Sequence, residues 1–162
     1  MSKVIVLLFV MMALSHHIHA RKGRHNRPKD YIRAHNKARA KVKVGPLVWN
    51  ETLAEYARAY AVVRSQDCEM QHSDGPYGEN LAAGSWQVSA KEAVRMWVDE
   101  RPLYDVKAGI CKGEWSCCLH YTQVVWRRSQ RVGCAHIPCP DDWTFVICNY
   151  DPPGNYVGER PY

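Results

Sequence analysis

Two histidines and two glutamates carry the chemistry this chain could offer: His72, Glu79, Glu100 and His120. His72 and Glu79 flank the run Ser73-Asp74-Gly75-Pro76-Tyr77-Gly78. That run is turn-rich enough to bend back and set an imidazole against a carboxylate. Glu100 follows Trp97 by three positions on an expected helix, so it can point along the edge of that helix's buried face. An imidazole beside a carboxylate suits general acid–base transfer, or ligation of a divalent cation such as zinc through a neutral ring nitrogen. The remaining histidines are set aside. His16, His17 and His19 fall in an apolar N-terminal leader, His25 in a basic stretch, His35 on a helix as a packed or surface residue, and His136 on a strand. The His-Glu-x-x-His helix of zinc proteases and the Gly-x-Ser-x-Gly elbow are both absent from the sequence. Ser73 follows His72 directly, but adjacency in sequence does not make a triad. An enzyme is therefore not the expectation.

The elements that must position these residues are legible from spacing and caps. Pro28 suits the first turn of a helix through Tyr31, Ile32, His35 and Ala38, ended by Gly45-Pro46. Asn50 opens a second helix with Leu53, Tyr56, Ala57, Tyr60 and Ala61 on one face. Asn50-Glu51-Thr52 is also a glycosylation sequon, so Asn50 is a candidate glycan site as well as a cap. Ser89 with Glu92 forms a capping box for a third helix, striped by Ala93, Val94, Trp97 and Val98 and stopped by Pro102. Arg131 to Ile137 and Thr144 to Tyr150 read as strands joined by a turn around Pro140-Asp141-Asp142. Helices first and strands later give an α+β domain.

Residues 1–20 read as a secretory signal peptide: Lys3, an apolar run from Val4 to Leu14, and cleavage after Ala20. The mature chain is then a single domain of about 140 residues, large enough for a core. Seven cysteines in a secreted chain point to disulfides, and none shows Cys-x-x-Cys spacing. Even six cysteines allow many connectivities. The net charge is +6, reduced by one once Lys3 leaves. Part of the excess lies in residues 21–27, which read as a basic flexible arm; contact with cell-wall polymer or a membrane surface is the sharper alternative. Nucleic acid is not an expected partner, because no binding motif is present.

The end of the chain is distinctive. Cys148-Asn149-Tyr150-Asp151-Pro152-Pro153-Gly154-Asn155-Tyr156-Val157-Gly158-Glu159-Arg160-Pro161-Tyr162 holds three prolines and two glycines. Past Tyr150 it cannot be a helix or a central strand, and such an end usually frays. With the block His120-Tyr121-Thr122-Gln123-Val124-Val125-Trp126, the chain closely resembles the plant pathogenesis-related class 1 proteins. These belong to the superfamily of cysteine-rich secretory proteins, antigen 5 and pathogenesis-related proteins.

The resemblance implies a three-layer α-β-α sandwich with a small antiparallel sheet, spanning residues 28–150. It implies the disulfides Cys68–Cys139, Cys111–Cys118 and Cys134–Cys148, leaving Cys117 unpaired or exchanging with Cys118. It also implies a cleft lined by His72, Glu79, Glu100 and His120. That tetrad could ligate a metal, hydrolyse a substrate, brace helix and loop, or wall a ligand site. Metal or structural use is expected over catalysis, and no cofactor is required. Relatives carry Gly where this chain has Leu119, so if that Gly serves a positive φ the local loop must differ.

The implied functions are sterol or other lipid binding, defence against fungi or oomycetes, and release of a C-terminal signalling peptide. A processing protease would then cut between Asp151 and Pro152, freeing Pro152 to Tyr162. The alternative for the tail is packing back on the domain through Tyr156 or Tyr162. A metal-dependent hydrolase and a developmental extracellular protein are the alternatives for the whole. The expected setting is the apoplast and the expected state a monomer.

Overall fold

A computed structural model describes residues 26–162 except 86 and 115. The signal peptide and residues 21–25 of the basic arm lie outside the described residues. The last two residues of the arm are seated rather than flexible. The Asn26 side chain accepts a hydrogen bond from Ala90 N at 2.6 Å, and Arg27 bonds Asp30 through both its backbone N and its side chain.

Helix α1 spans Pro28–Lys41, with Pro28 in its first turn where a missing N–H costs nothing. Strand β1 is Val48–Trp49, and α2 is Glu51–Arg64. Asn50 caps α2, its side-chain oxygen accepting from Leu53 N at 3.0 Å. Strand β2 covers Gly78–Gly84, beginning at the last residue of the turn-rich run Ser73 to Gly78. Helix α3, Ala90–Val98, opens on the Ser89–Glu92 capping box. It stops earlier than its sequence suggests: Asp99 is its C-cap, and Glu100 lies beyond it at the start of a 3₁₀ turn, Arg101–Leu103. A small hairpin comes next, β3 (Tyr104–Asp105) with β4 (Ile110–Cys111). Helix α4 is Leu119–Val124, β5 is Arg131–Pro138 and β6 is Thr144–Asp151.

The main sheet runs β1-β5-β6-β2. Its three long strands are antiparallel, and two-residue β1 adds a parallel edge against β5. Strand alternation sends side chains to two faces. Ala82, Val132, Cys134, Val146, Cys148 and Tyr150 face α1, α3 and α4, meeting Tyr31, Trp97 and Tyr121 there. Leu81, Ala135, Phe145 and Ile147 face α2, meeting Ala57 and Ala61. This is an α-β-α sandwich with a core on each side of the sheet. Three disulfides staple it: Cys68–Cys139, Cys111–Cys118 and Cys134–Cys148. Cys117 is free, its Sγ 3.3 Å from the Lys112 carbonyl.

The tail does not fray. Residues 152–162 lie back over α4 and the β3–β4 hairpin. Gly154 N donates to Gln123 at 2.9 Å, Asn155 donates to Leu119 O at 2.9 Å, and Arg127 N donates to Pro161 O at 2.7 Å. Tyr156 packs on Trp126, and Tyr162 meets the Tyr121 hydroxyl at 3.1 Å. Both tyrosines anchor the segment, because polar groups far away in sequence pair its backbone.

Candidate functional site

The four tetrad residues form two pairs. Glu79, on β2, is buried to 6% exposure, while His72 beside it is 54% exposed. His72 Nδ1 lies 2.8 Å from Glu79 Oε1. Ser73 donates to the same carboxylate from its backbone N at 2.9 Å and its hydroxyl at 2.5 Å, and Asn149 donates across the strand pair at 3.0 Å. Burial alone would raise the Glu79 pKa, but these hydrogen bonds outweigh it and the pKa is lowered. The hydrogen bond to Glu79 raises the His72 pKa against the opposing effect of desolvation. Ser73 gives its hydroxyl to a carboxylate rather than to an imidazole, which is not the arrangement of an activated nucleophile.

The second pair is His120 with Glu100, Nδ1 to Oε1 at 2.6 Å. The other carboxylate oxygen of Glu100 accepts from Tyr121 N at 3.1 Å, so it serves a free amide in the first turn of α4 as well as the imidazole. In sequence Glu100 belongs to the helical stripe; in the fold it lies beyond the end of α3, where the chain turns toward α4. Leu119, where the family resemblance implies Gly, is the first residue of α4 and is not among the positive-φ residues, so no strain attends it.

Adjacent residues of β2 serve the two pairs. Glu79 shares its face with Leu81, toward α2; Asn80 shares its face with Ala82, toward α1, α3 and α4. Asn80 links the second pair to the core, donating to His120 O at 3.0 Å and to the Tyr150 hydroxyl at 3.2 Å. That hydroxyl meets His35 Nε2 at 2.8 Å, while His35 Nδ1 lies 2.9 Å from Tyr31 O. A carbonyl can only accept, so Nδ1 carries the proton and Nε2 accepts from Tyr150. His35 is thus a packed, neutral residue, its pKa pushed down to about 4 chiefly by burial.

In both pairs Nδ1 faces a carboxylate, the bond that orients metal-binding histidines through Nε2. Among the described residues, however, no group of three or more His, Cys, Asp or Glu side chains is placed to hold a metal ion.

A chiefly apolar cleft of about 390 Å³ lies beside this site, between the β3–β4 hairpin, α4 and the tail. Ile110, Leu119, Trp126, Tyr156 and Val157 are among its walls. The tetrad is not. Sequence patterning could not reveal this cleft, because its walls come from three separate segments.

The sequence profile of the cysteine-rich secretory protein family, CAP, matches residues 32–150. The chain belongs to that family. This CAP protein is 51% identical over 158 residues to the basic form of pathogenesis-related protein 1 of Nicotiana tabacum, covering 98% of this chain and 86% of the relative. It is 49% identical over 156 residues to pathogenesis-related protein 1A1 of Solanum lycopersicum, covering 96% and 86%. It is therefore a defence-related CAP protein of the pathogenesis-related 1 type. Among solved structures, venom allergen-like protein 4 of Schistosoma mansoni is 26% identical with a TM-score of 0.68, covering 83% of this chain and 92% of that one. A zinc-containing structure of the protein NaASP2 shares the fold at 21% identity and a TM-score of 0.70, covering 86% and 88%. No helix among the described residues is long and apolar enough to cross a membrane.

Proposed function

We propose that this CAP protein acts in the plant extracellular space, against fungi or oomycetes, by holding a sterol or other lipid rather than by turnover. The observation that supports this reading is the tail-walled apolar cleft, whose volume falls in the range of small-molecule sites. The two His–Glu pairs then act as framework: one braces the loop before β2, the other ties the start of α4 to the end of α3.

The test is equilibrium binding of a labelled sterol to the oxidised protein, with and without chelator. Saturable binding that unlabelled sterol displaces and chelation spares is the expected result. No saturable binding in either condition overturns the lipid reading and leaves the tail peptide as the function.

In the same proposal, Pro152 to Tyr162 is a defence peptide cut free by a processing protease. Arg131 pairs with Asp151 at 2.5 Å and Ser129 donates to Pro152 O at 2.7 Å, so the tail must peel locally before a protease reaches the bond. A divalent cation such as zinc, bound at the Nε2 atoms of His72 and His120, is the second reading. It is favoured by the Nδ1–carboxylate bonds alone.

A further inference from the structure

The tail is tied to the domain near both of its ends. At its start Ser129 donates its hydroxyl to Pro152 O at 2.7 Å, and Thr122 donates to the Asn155 side chain at 2.6 Å. Near its end Arg160 donates to the carbonyls of Val106 at 3.0 Å and Lys107 at 2.9 Å, in the link between β3 and β4. Between these ties Tyr156 to Glu159 close a turn of their own, Glu159 N donating to Tyr156 O at 3.0 Å. Arg128 steadies that turn, ion-paired with Glu159 and 5.6 Å from the centroid of the Tyr156 ring.

Asn155 to Glu159 and Pro161 all line the apolar cleft, so the tail is a wall of that site rather than its neighbour. Three apolar walls are well exposed: Ile110 at 63% and, in the tail, Tyr156 at 47% and Val157 at 102%. An apolar ligand would cover these side chains, which is favourable. Its contacts with Tyr156 and Val157 exist only while the tail is seated. A ligand that binds the seated state and not the peeled one shifts the balance toward the seated state.

We propose that a lipid in the cleft is the latch of the tail: bound, it holds Pro152 to Tyr162 on the domain and away from a processing protease, and its departure lets the tail peel. This rests on the lipid reading of the cleft given above. The coupling is reciprocal. Loss of the tail takes away the wall that the lipid rests on, so a tail cut free discharges the lipid. A loaded cleft, in turn, delays the cut at Asp151–Pro152. Peptide and ligand then leave together rather than independently.

The experiment is hydrogen exchange of the oxidised protein, followed at the tail amides with and without ergosterol, beside equilibrium binding of the same sterol. With ergosterol at about a hundred times its Kd, exchange from Gly154 to Glu159 slows about a hundredfold. The turn between β5 and β6, where Trp143 N donates to Pro140 O at 3.2 Å, keeps its rate, because it is no part of the cleft. Val157→Ser tests the wall directly. Val157 is fully exposed, so the change leaves the fold alone, and it weakens ergosterol binding about tenfold by removing apolar contact. Saturable binding with tail exchange unchanged, or slowed no more than at the β5–β6 turn, overturns the latch and leaves the lipid reading standing. Binding indifferent to Val157→Ser does the same. Absence of saturable binding overturns both.

Discussion

The two faces of the sheet are held in different ways. Toward α2 the core is small and chiefly apolar, Ala57, Ala61, Leu81, Ala135, Phe145 and Ile147, with the Cys68–Cys139 bridge beside it and the buried Glu79–Asn149 pair at one end. Toward α1, α3 and α4 the core is larger and threaded by buried polar groups, His35, Arg39, Asn80, Thr122 and Gln123 among them. A single helix can lie flat on a sheet through apolar contact. Three helices and a returning tail leave loop carbonyls and helix ends to be satisfied inside, and only polar side chains can do that. The tail and the apolar cleft belong to the polar side, so disruption of that side reaches the proposed lipid site.

The sharpest way to break the contrast is Arg39→Ala. Arg39 is 1% exposed and donates to four carbonyls, those of Gly45, Val124, Trp126 and Ser129, at 2.6 to 3.1 Å. Removing it strands all four in the turns that connect α1, α4 and β5. The expected loss is about 4 kcal/mol, read as a fall in the urea midpoint. A loss under about 1 kcal/mol would mean that water replaces the guanidinium and that the face is not as closed as its burial implies.

The next effect comes from pH. His35, 0% exposed, has a folded pKa of about 4 against an ordinary 6.5. Between those values the unfolded chain binds a proton that the folded chain refuses, so stability falls as pH falls through that window, by about 3 kcal/mol in all. Glu79 adds a loss at lower pH, because its pKa is depressed in the fold. His72 opposes both: its raised pKa lends stability at low pH that is lost as pH rises through the folded value. Denaturation of the wild type and of His35→Gln between pH 7 and pH 4 separates these terms. The variant is expected to lose about one proton's worth of slope above pH 4.5, and equal slopes would show that His35 is not buried neutral.

How much of the molecule is legible in its sequence varies with the same division. Local devices are legible: Pro28 at a helix start, the Asn50 cap, the Ser89–Glu92 box, and the β5 and β6 strands. Strand β2 is not, because Gly-Glu-Asn-Leu-Ala-Ala-Gly has little intrinsic strand preference and its form comes from pairing with β6. Six-residue α4 is not either; too short to stand alone, it is held by the Cys111–Cys118 bridge before it and the tail over it. The tail's composition predicts fraying, because nothing in its own residues announces Gln123, Thr122 or Pro161's partner Arg127. The tetrad residues carry over individually from the family resemblance, but the division of work between Glu79, beside His72, and Asn80, bonded to His120 O, depends on β2 being a strand.

Gly133 sharpens the comparison from the α2 side. It sits on β5 with its face toward α2, and a Cβ there would lie 2.1 Å from Ala54 N, 2.5 Å from Leu53 C and 2.7 Å from Asn50 O. All three are backbone atoms of the capped first turn of α2, which cannot step aside as a side chain would. A glycine inside a strand marks such a close approach. Gly133→Ala must therefore push α2 off the sheet or break the Asn50 cap, and about 2 kcal/mol of destabilisation is expected. Because the displaced contacts lie on the α2 face, the backbone amide NMR signal of His120 should hardly move, while that of His72, whose carbonyl accepts from Tyr60 of α2, should shift. If both histidines shift equally, the two faces respond as one body, and the division between a chiefly apolar layer and a more polar one holds for packing only.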